Sequence, residues 1–179
     1  MKKDVEIKNN MEQDGKALSS TPNSISSEKF EKFTIDSSIF DLERVEFDYL
    51  KKFSNPIIFD TNFLFVTFEF KLDIIVEIEK LLGKNYNLFI YAGTIDELKA
   101  VERKGDKNKR FLPLIVKMLH LYGFKIIKSE ISYIDDQILS NTNSKVIIAT
   151  NDKELRQKLQ KKYNQKVMYM RQKSYLEIM

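Results

Sequence analysis

Five short apolar runs, separated by stretches of helical periodicity, limit what this chain can fold into more than any other feature. They are residues 56–59 (PIIF), 88–91 (LFIY), 124–127 (FKII), 145–149 (KVIIA) and 167–170 (VMYM). Runs this short and continuous suit strands covered on both faces, because a half-exposed strand alternates apolar with polar residues. Between the first two runs, Leu72, Ile74, Ile75, Ile78, Leu81 and Leu82 recur at helical spacing, and Gly83 follows as a stop signal. Residues 94–103 predict a second helix, with Thr94 as N-cap and Glu97 at the capping-box spacing. Residues 103–110 (RKGDKNKR) read as a charged loop, 111–122 as an apolar helix, 134–141 as a short helix and 152–163 as a Lys-rich helix. Strands alternating with helices predict a three-layer α/β/α fold, with a central parallel sheet of about five strands and right-handed crossovers.

The N-terminal third reads differently. Residues 1–28 are polar, include SSTPNSISSE and hold too little apolar surface to offset ordering entropy, so a disordered tail is expected there. Residues 29–54 scatter Phe and Ile among acids and read as an accessory arm or helix on a domain spanning 55–179. The net charge of +4 is uneven: residues 1–52 hold 9 Lys/Arg against 11 Asp/Glu, and residues 53–179 hold 21 against 15. A basic balance favours a polyanionic partner. The absence of Cys excludes disulfides, thiolate metal sites and a Cys nucleophile. No apolar stretch reaches the ~18 residues that span a bilayer, and the first lysines precede no apolar run of a secretory signal. The expectation is a cytoplasmic chain with no membrane partner.

In open parallel sheets, ligands bind beyond the carboxyl ends of the strands. Each of the first four apolar runs is followed there by an acid: Asp60, then Asp96 and Glu97, then Asp135 and Asp136, then Asp152. Turn and cap roles account for each acid singly, but caps need not recur after successive strands. Carboxylates gathered at one edge repel: two like charges 4 Å apart cost about 4 kcal/mol at an effective dielectric of 20. They must either take up protons or share a cation. Mg²⁺ and Mn²⁺ prefer carboxylate and water oxygens, and such an ion can activate water and neutralise an attacked phosphate. The pattern points to metal-assisted phosphodiester hydrolysis, with Asp60, Glu97, Asp135 and Asp152 as catalytic metal ligands and Asp136 as the alternative third ligand. Lys99, Arg103, Lys104, Lys107, Lys109 and Arg110 form one set of phosphate-binding candidates. Lys153, Arg156, Lys158, Lys161 and Lys162 form a second; both would supply sequence-independent affinity. A phosphatase-type Asp60 nucleophile ranks last, because that chemistry wants a second Asp two positions on and Asn62 stands there.

The stretches 57–62 (IIFDTN), 95–98 (IDEL), 133–139 (YIDDQIL) and 149–155 (ATNDKEL) resemble, in order and rough spacing, the four signatures of the PIN domain family. The resemblance covers about residues 56–176. The TNDKEL stretch and residues 167–176 (VMYMRQKSYL) are similar to archaeal PIN proteins and to the PIN endonuclease that matures small-subunit ribosomal RNA. The VapC toxins of toxin–antitoxin pairs are more distant. The resemblance implies a PIN-like fold and an Mg²⁺- or Mn²⁺-dependent endoribonuclease, often a homodimer. It implies RNA as substrate, with a ribosome precursor or an antitoxin protein as further partner. The family's first, second and fourth acids fall on Asp60, Glu97 and Asp152. The third falls on the doublet, where Asp135 is preferred because Ile138 supplies the family's apolar residue three positions on. Asn62 matches the small polar residue beside the first acid, and Thr150 the hydroxyl near the fourth. An N-terminal arm of about 50 residues departs from a minimal toxin. The alternative reading is a scaffold that grips RNA or a ribosome precursor with little cleavage.

Overall fold

The computed structural model describes residues 35, 39, 41–104, 107–129, 134–140 and 145–179. The tail expected over residues 1–28 and the opening of the arm lie outside them. The strands are β1 (Arg44–Val45), β2 (Pro56–Phe59), β3 (Asn87–Tyr91), β4 (Lys125–Ile127), β5 (Ile147–Ala149), β6 (Lys166–Arg171) and β7 (Tyr175–Ile178). They form one sheet in the order β1-β4-β3-β2-β5-β6-β7, parallel throughout except for the β6–β7 pair. The helices are α1 (Thr61–Glu69), α2 (Ile74–Leu82), α3 (Ala92–Lys104), α4 (Leu112–Leu121), α5 (Ile134–Ser140) and α6 (Lys153–Tyr163).

The core explains why the strand runs are continuous rather than alternating. Every residue of β2 is buried. Its pleat sends Ile57 and Phe59 into a cluster with side chains of α1, α2, α3 and α4. Ile58 goes the other way, joining Ile138 of α5, Leu155 and Leu159 of α6 and Leu50 from a 3-10 turn at Phe47–Lys52. Each such side chain, fully buried, contributes roughly 1.5–3 kcal/mol. The sheet is therefore the middle of three layers.

The path of the chain fixes where ligands can enter. From β2 it steps outward to β3 and β4, then crosses back to β5 on the opposite side of β2. The gap beyond the ends of β2 and β5 is thus the topological switch point. Phe59 and Ala149 lie side by side there, and Asp60 N donates to the Ala149 carbonyl at 3.0 Å.

Several elements differ from the sequence expectation. The sheet has seven strands rather than about five. β1 has two residues and comes from the arm, adding Val45 to the core. β7 turns back antiparallel through Gln172 and Lys173, both at positive φ (50° and 58°). Gly or Asn normally marks such a conformation, and neither is present. The backbone N–H of Leu176 on β7 donates to Glu77 of α2 at 3.2 Å, which covers a strand edge otherwise open to pairing. α1 went unread because Phe63, Leu64, Phe65, Val66 and Phe68 crowd it with apolar residues on nearly all sides, so no single stripe stands out. α3 starts at Ala92 directly after β3, so Thr94 lies inside the helix, fully buried, and the capping box expected at Thr94 and Glu97 does not form. The expected charged loop contains a 3-10 turn at Lys107–Phe111. No described helix is long and apolar enough to cross a membrane.

Candidate active site

Asp60 ends β2 and occupies the N-cap position of α1, with φ −70° and ψ 146°, yet its side chain makes no cap bond. Asp73 and Asp152 hold the same position on α2 and α6 and do cap, accepting from Val76 N at 3.2 Å and Leu155 N at 2.8 Å. Asp60 is instead turned toward β5, where Thr150 Oγ1 donates to its Oδ2 at 2.8 Å. The same Thr150 hydroxyl accepts from Asp152 N at 3.1 Å, so one buried side chain ties the first acid to the fourth. Asn151 is occupied structurally, its Oδ1 accepting from Met170 N at 2.7 Å on β6.

Asp60, Glu97, Asp135 and Asp152 line one cleft of about 400 Å³ at the switch point, together with Thr61, Asn62, Phe65, Val101 and Asn108. Four segments far apart in sequence thus deliver one carboxylate each. Of the Asp doublet only Asp135 faces the cleft; Asp136 is exposed and outside its lining. Asp96 is also exposed and outside it.

The electrostatics show that these acids sense one another. Burial raises the Asp60 carboxyl from 3.8 to about 6; the Thr150 hydrogen bond opposes the rise, and the charges of Asp135 and Glu97 add to it. Glu97 is raised first by loss of water and then by Asp135, although Thr61 pulls the other way. By surface area Glu97 is exposed, yet partial loss of water still raises its carboxyl. The buried Thr61 hydroxyl faces it without completing a hydrogen bond. Asp135 is raised by partial burial and by Asp152, and Lys158 opposes this. Among the described residues no three acidic or histidine side chains converge tightly enough to enclose an ion directly. What the cleft offers is a set of hard oxygen donors with excess negative charge.

Helix N-termini add to the field. α1 begins at the Asp60 cap and α6 at the Asp152 cap, and N-terminal N–H groups favour anions.

The likeness to known proteins covers the segment that builds this cleft. A family model described as a PIN like domain matches residues 57–173, from β2 through the end of β6. The chain belongs to this PIN-like family. It is 36% identical over 125 residues to Ribonuclease VapC4 of Methanocaldococcus jannaschii, covering 68% of this chain and 95% of the relative. The solved PIN domain endonuclease Utp24 superposes with a TM-score of 0.55 at 19% identity, covering 69% of this chain and 90% of that one, and shows the same fold. The three-layer PIN-like architecture is therefore established.

Around the PIN-like cleft the basic candidates are dispersed. Arg103 and Lys104 are exposed at the end of α3, and Lys99 is half-buried one turn earlier. Lys153 is exposed at the start of α6. The Arg156 guanidinium lies 4.3 Å over the Tyr169 ring, so part of its surface is committed to packing. Four lining residues escaped the sequence reading as site residues: Thr61, Phe65, Val101 and Asn108. Thr61 could have been found as the neighbour of Asp60. Nothing in the RKGDKNKR stretch singles out Asn108.

Proposed function

We propose that this chain is an endoribonuclease that hydrolyses RNA phosphodiester bonds with the help of Mg²⁺ or Mn²⁺. The observation that carries the reading is the delivery of Asp60, Glu97, Asp135 and Asp152 into one cleft at the switch point, with three of the four held above their ordinary carboxyl range. Acids in that condition are poised for a divalent cation, and their oxygens are the donors that Mg²⁺ and Mn²⁺ prefer. The four carboxylates do not close directly on a point, which suits an ion held partly through its own water shell, as Mg²⁺ commonly is. When bound, the cation would lower the pKa of a water, orient it and offset charge on the phosphate.

The chain's own residues supply the rest. Thr150 fixes the Asp60 carboxylate through Oδ2 and holds the Asp152 backbone in place. Asp152 commits Oδ1 to its helix cap, which limits its rotation. Glu97 and Asp135, the more open pair, face the cleft from α3 and α5. The Asn62 backbone N–H favours the charged form of Asp60. Lys99, Arg103, Lys104, Lys153 and Arg156 are proposed to contact RNA phosphates, with Arg156 limited by its Tyr169 contact.

The reading draws support from the ribonuclease name of the relative with 36% identity. That relative is matched over 95% of its length while 68% of this chain is used, and the family match begins at residue 57. Residues 1–28 are proposed as a tail, 29–54 as an arm and 55–179 as the nuclease domain, in the cytoplasm. The arm favours an RNA-processing role over a minimal toxin: Ile35, Ile39, Leu42, Val45 and Leu50 are buried with the core rather than left as a detachable add-on. Purified protein incubated with structured RNA should cut it in Mg²⁺ or Mn²⁺ and stop in EDTA. Full activity in chelator would end the proposal.

A further inference from the structure

The acids do not make up the whole cleft. Phe65 of α1 and Val101 of α3 line it too, and neither has a side-chain atom that a cation or a phosphate could use. Their places follow from helix geometry. Phe65 stands four residues after Thr61, and Val101 four residues after Glu97. Each therefore lies one turn along the helix face that meets the cleft, about 6 Å further down the axis. α1 and α3 pack on each other and start just beyond β2 and β3, two neighbouring parallel strands, so one turn on runs the same way in both. The result is an apolar shelf beside the acids. It is the outer surface of the main core: Phe65, 7% exposed, belongs to that cluster, and the half-buried Val101 packs against it.

A hydrated cation gains nothing from a hydrocarbon wall, and neither does a bare phosphate. A nucleotide does. One ribose joins its phosphate to its base, so a phosphate held at the acids brings a ring with an apolar face toward the next helical turn. Every nucleobase has such a face, which is why packing against it gives affinity with little sequence preference. We propose that Phe65 and Val101 form a nucleobase subsite, which receives the base of the nucleotide whose phosphate meets the acids. The proposal rests on the ribonuclease reading above, which puts a phosphate there.

The test is equilibrium binding to the full chain in Mn²⁺, followed by calorimetry, of AMP, CMP and ribose 5-phosphate, which lacks the base. The wild type should bind AMP and CMP each at least about fivefold more tightly than ribose 5-phosphate, the scale of one base contact. Val101→Ser should cut that advantage to about twofold or less and leave the affinity for ribose 5-phosphate unchanged. A merely structural role would weaken all three ligands alike. Phe65→Leu, which keeps most of the core volume, should reduce the advantage from the other side of the shelf, and Val101→Thr serves should the serine form fail to fold. An undiminished advantage in folded variants at both positions would overturn the subsite. No tighter binding of AMP than of ribose 5-phosphate, by a wild type that cuts RNA, would overturn it and leave the ribonuclease reading standing. A wild type that binds none of the three and cuts no RNA would overturn both.

Discussion

Two concavities of nearly equal size lie on opposite ends of one helix, and their linings could hardly differ more. The cleft of about 400 Å³ takes Thr61, Asn62 and Phe65 from the first turns of α1 and gathers four carboxylates. The groove of about 370 Å³ takes Thr67 and Phe68 from the last turn and is walled by Leu72, Ile74, Leu114, Met118 and Leu121. The groove is more apolar, and it brings no cluster of acids together. Volume does not mark chemistry here. What marks it is mutual repulsion among groups that the fold holds together against their preference, at the one place where the sheet order reverses.

The largest break between the two regions should come from Asp60→Asn. The change keeps volume and removes a carboxylate, so RNA cleavage should fall at least about a hundredfold, the upper end of what loss of an outer-shell partner alone costs. Leu114→Ser in the groove should leave cleavage unchanged. Rates of both variants on one RNA substrate check this.

The next effect is on stability. The Asp60 carboxyl titrates near 6 in the folded chain, against 3.8 as its ordinary value. The folded state therefore binds this proton more tightly, so the contribution of Asp60 to stability is fully present below pH ~4 and is lost as pH rises through ~6. At about 1.4 kcal/mol per pH unit the loss approaches about 3 kcal/mol. Urea unfolding in chelator at pH 4 and pH 7.5 should show Asp60→Asn gaining stability relative to the wild type as the pH rises. Added Mn²⁺ should restore stability at pH 7.5 in the wild type.

Thr150→Val should have a smaller effect, costing about 1–3 kcal/mol by stranding the buried Asp60 carboxylate and the Asp152 N–H. Without that donor the Asp60 carboxyl should rise further, moving the acidic limb of the cleavage–pH profile upward. A profile that keeps its midpoint would show that Thr150 does not set the Asp60 charge. The smallest change belongs to the groove: Leu121, 67% exposed, should tolerate Ser within about 0.5 kcal/mol by thermal melting.

The legible part of the fold was what periodicity and the sheet rule can carry. The five buried runs became β2 to β6, and the acids after the first four came together because parallel strands deliver their ends to one edge. The family resemblance favoured Asp135 over Asp136 through the apolar residue three positions on, and that residue, Ile138, is fully buried while Asp135 lines the cleft. Other elements left no local signal. β1 is a two-residue strand at the sheet edge whose one pairing is with β4. The hairpin to β7 uses left-handed Gln172 and Lys173, imposed by tertiary contacts rather than turn residues. Asn108 joins the site only because Phe111 anchors its turn on Phe68, a contact between residues 43 positions apart that no spacing announces.

The central claim is that these four carboxylates act together on one hard cation. Mn²⁺ titrated into the full chain and followed by electron paramagnetic resonance tests it most directly. Saturable binding that Asp60→Asn and Glu97→Gln each weaken at least about tenfold, as loss of a ligand should, is the predicted result. Binding with the same affinity in the wild type and in both variants would contradict it.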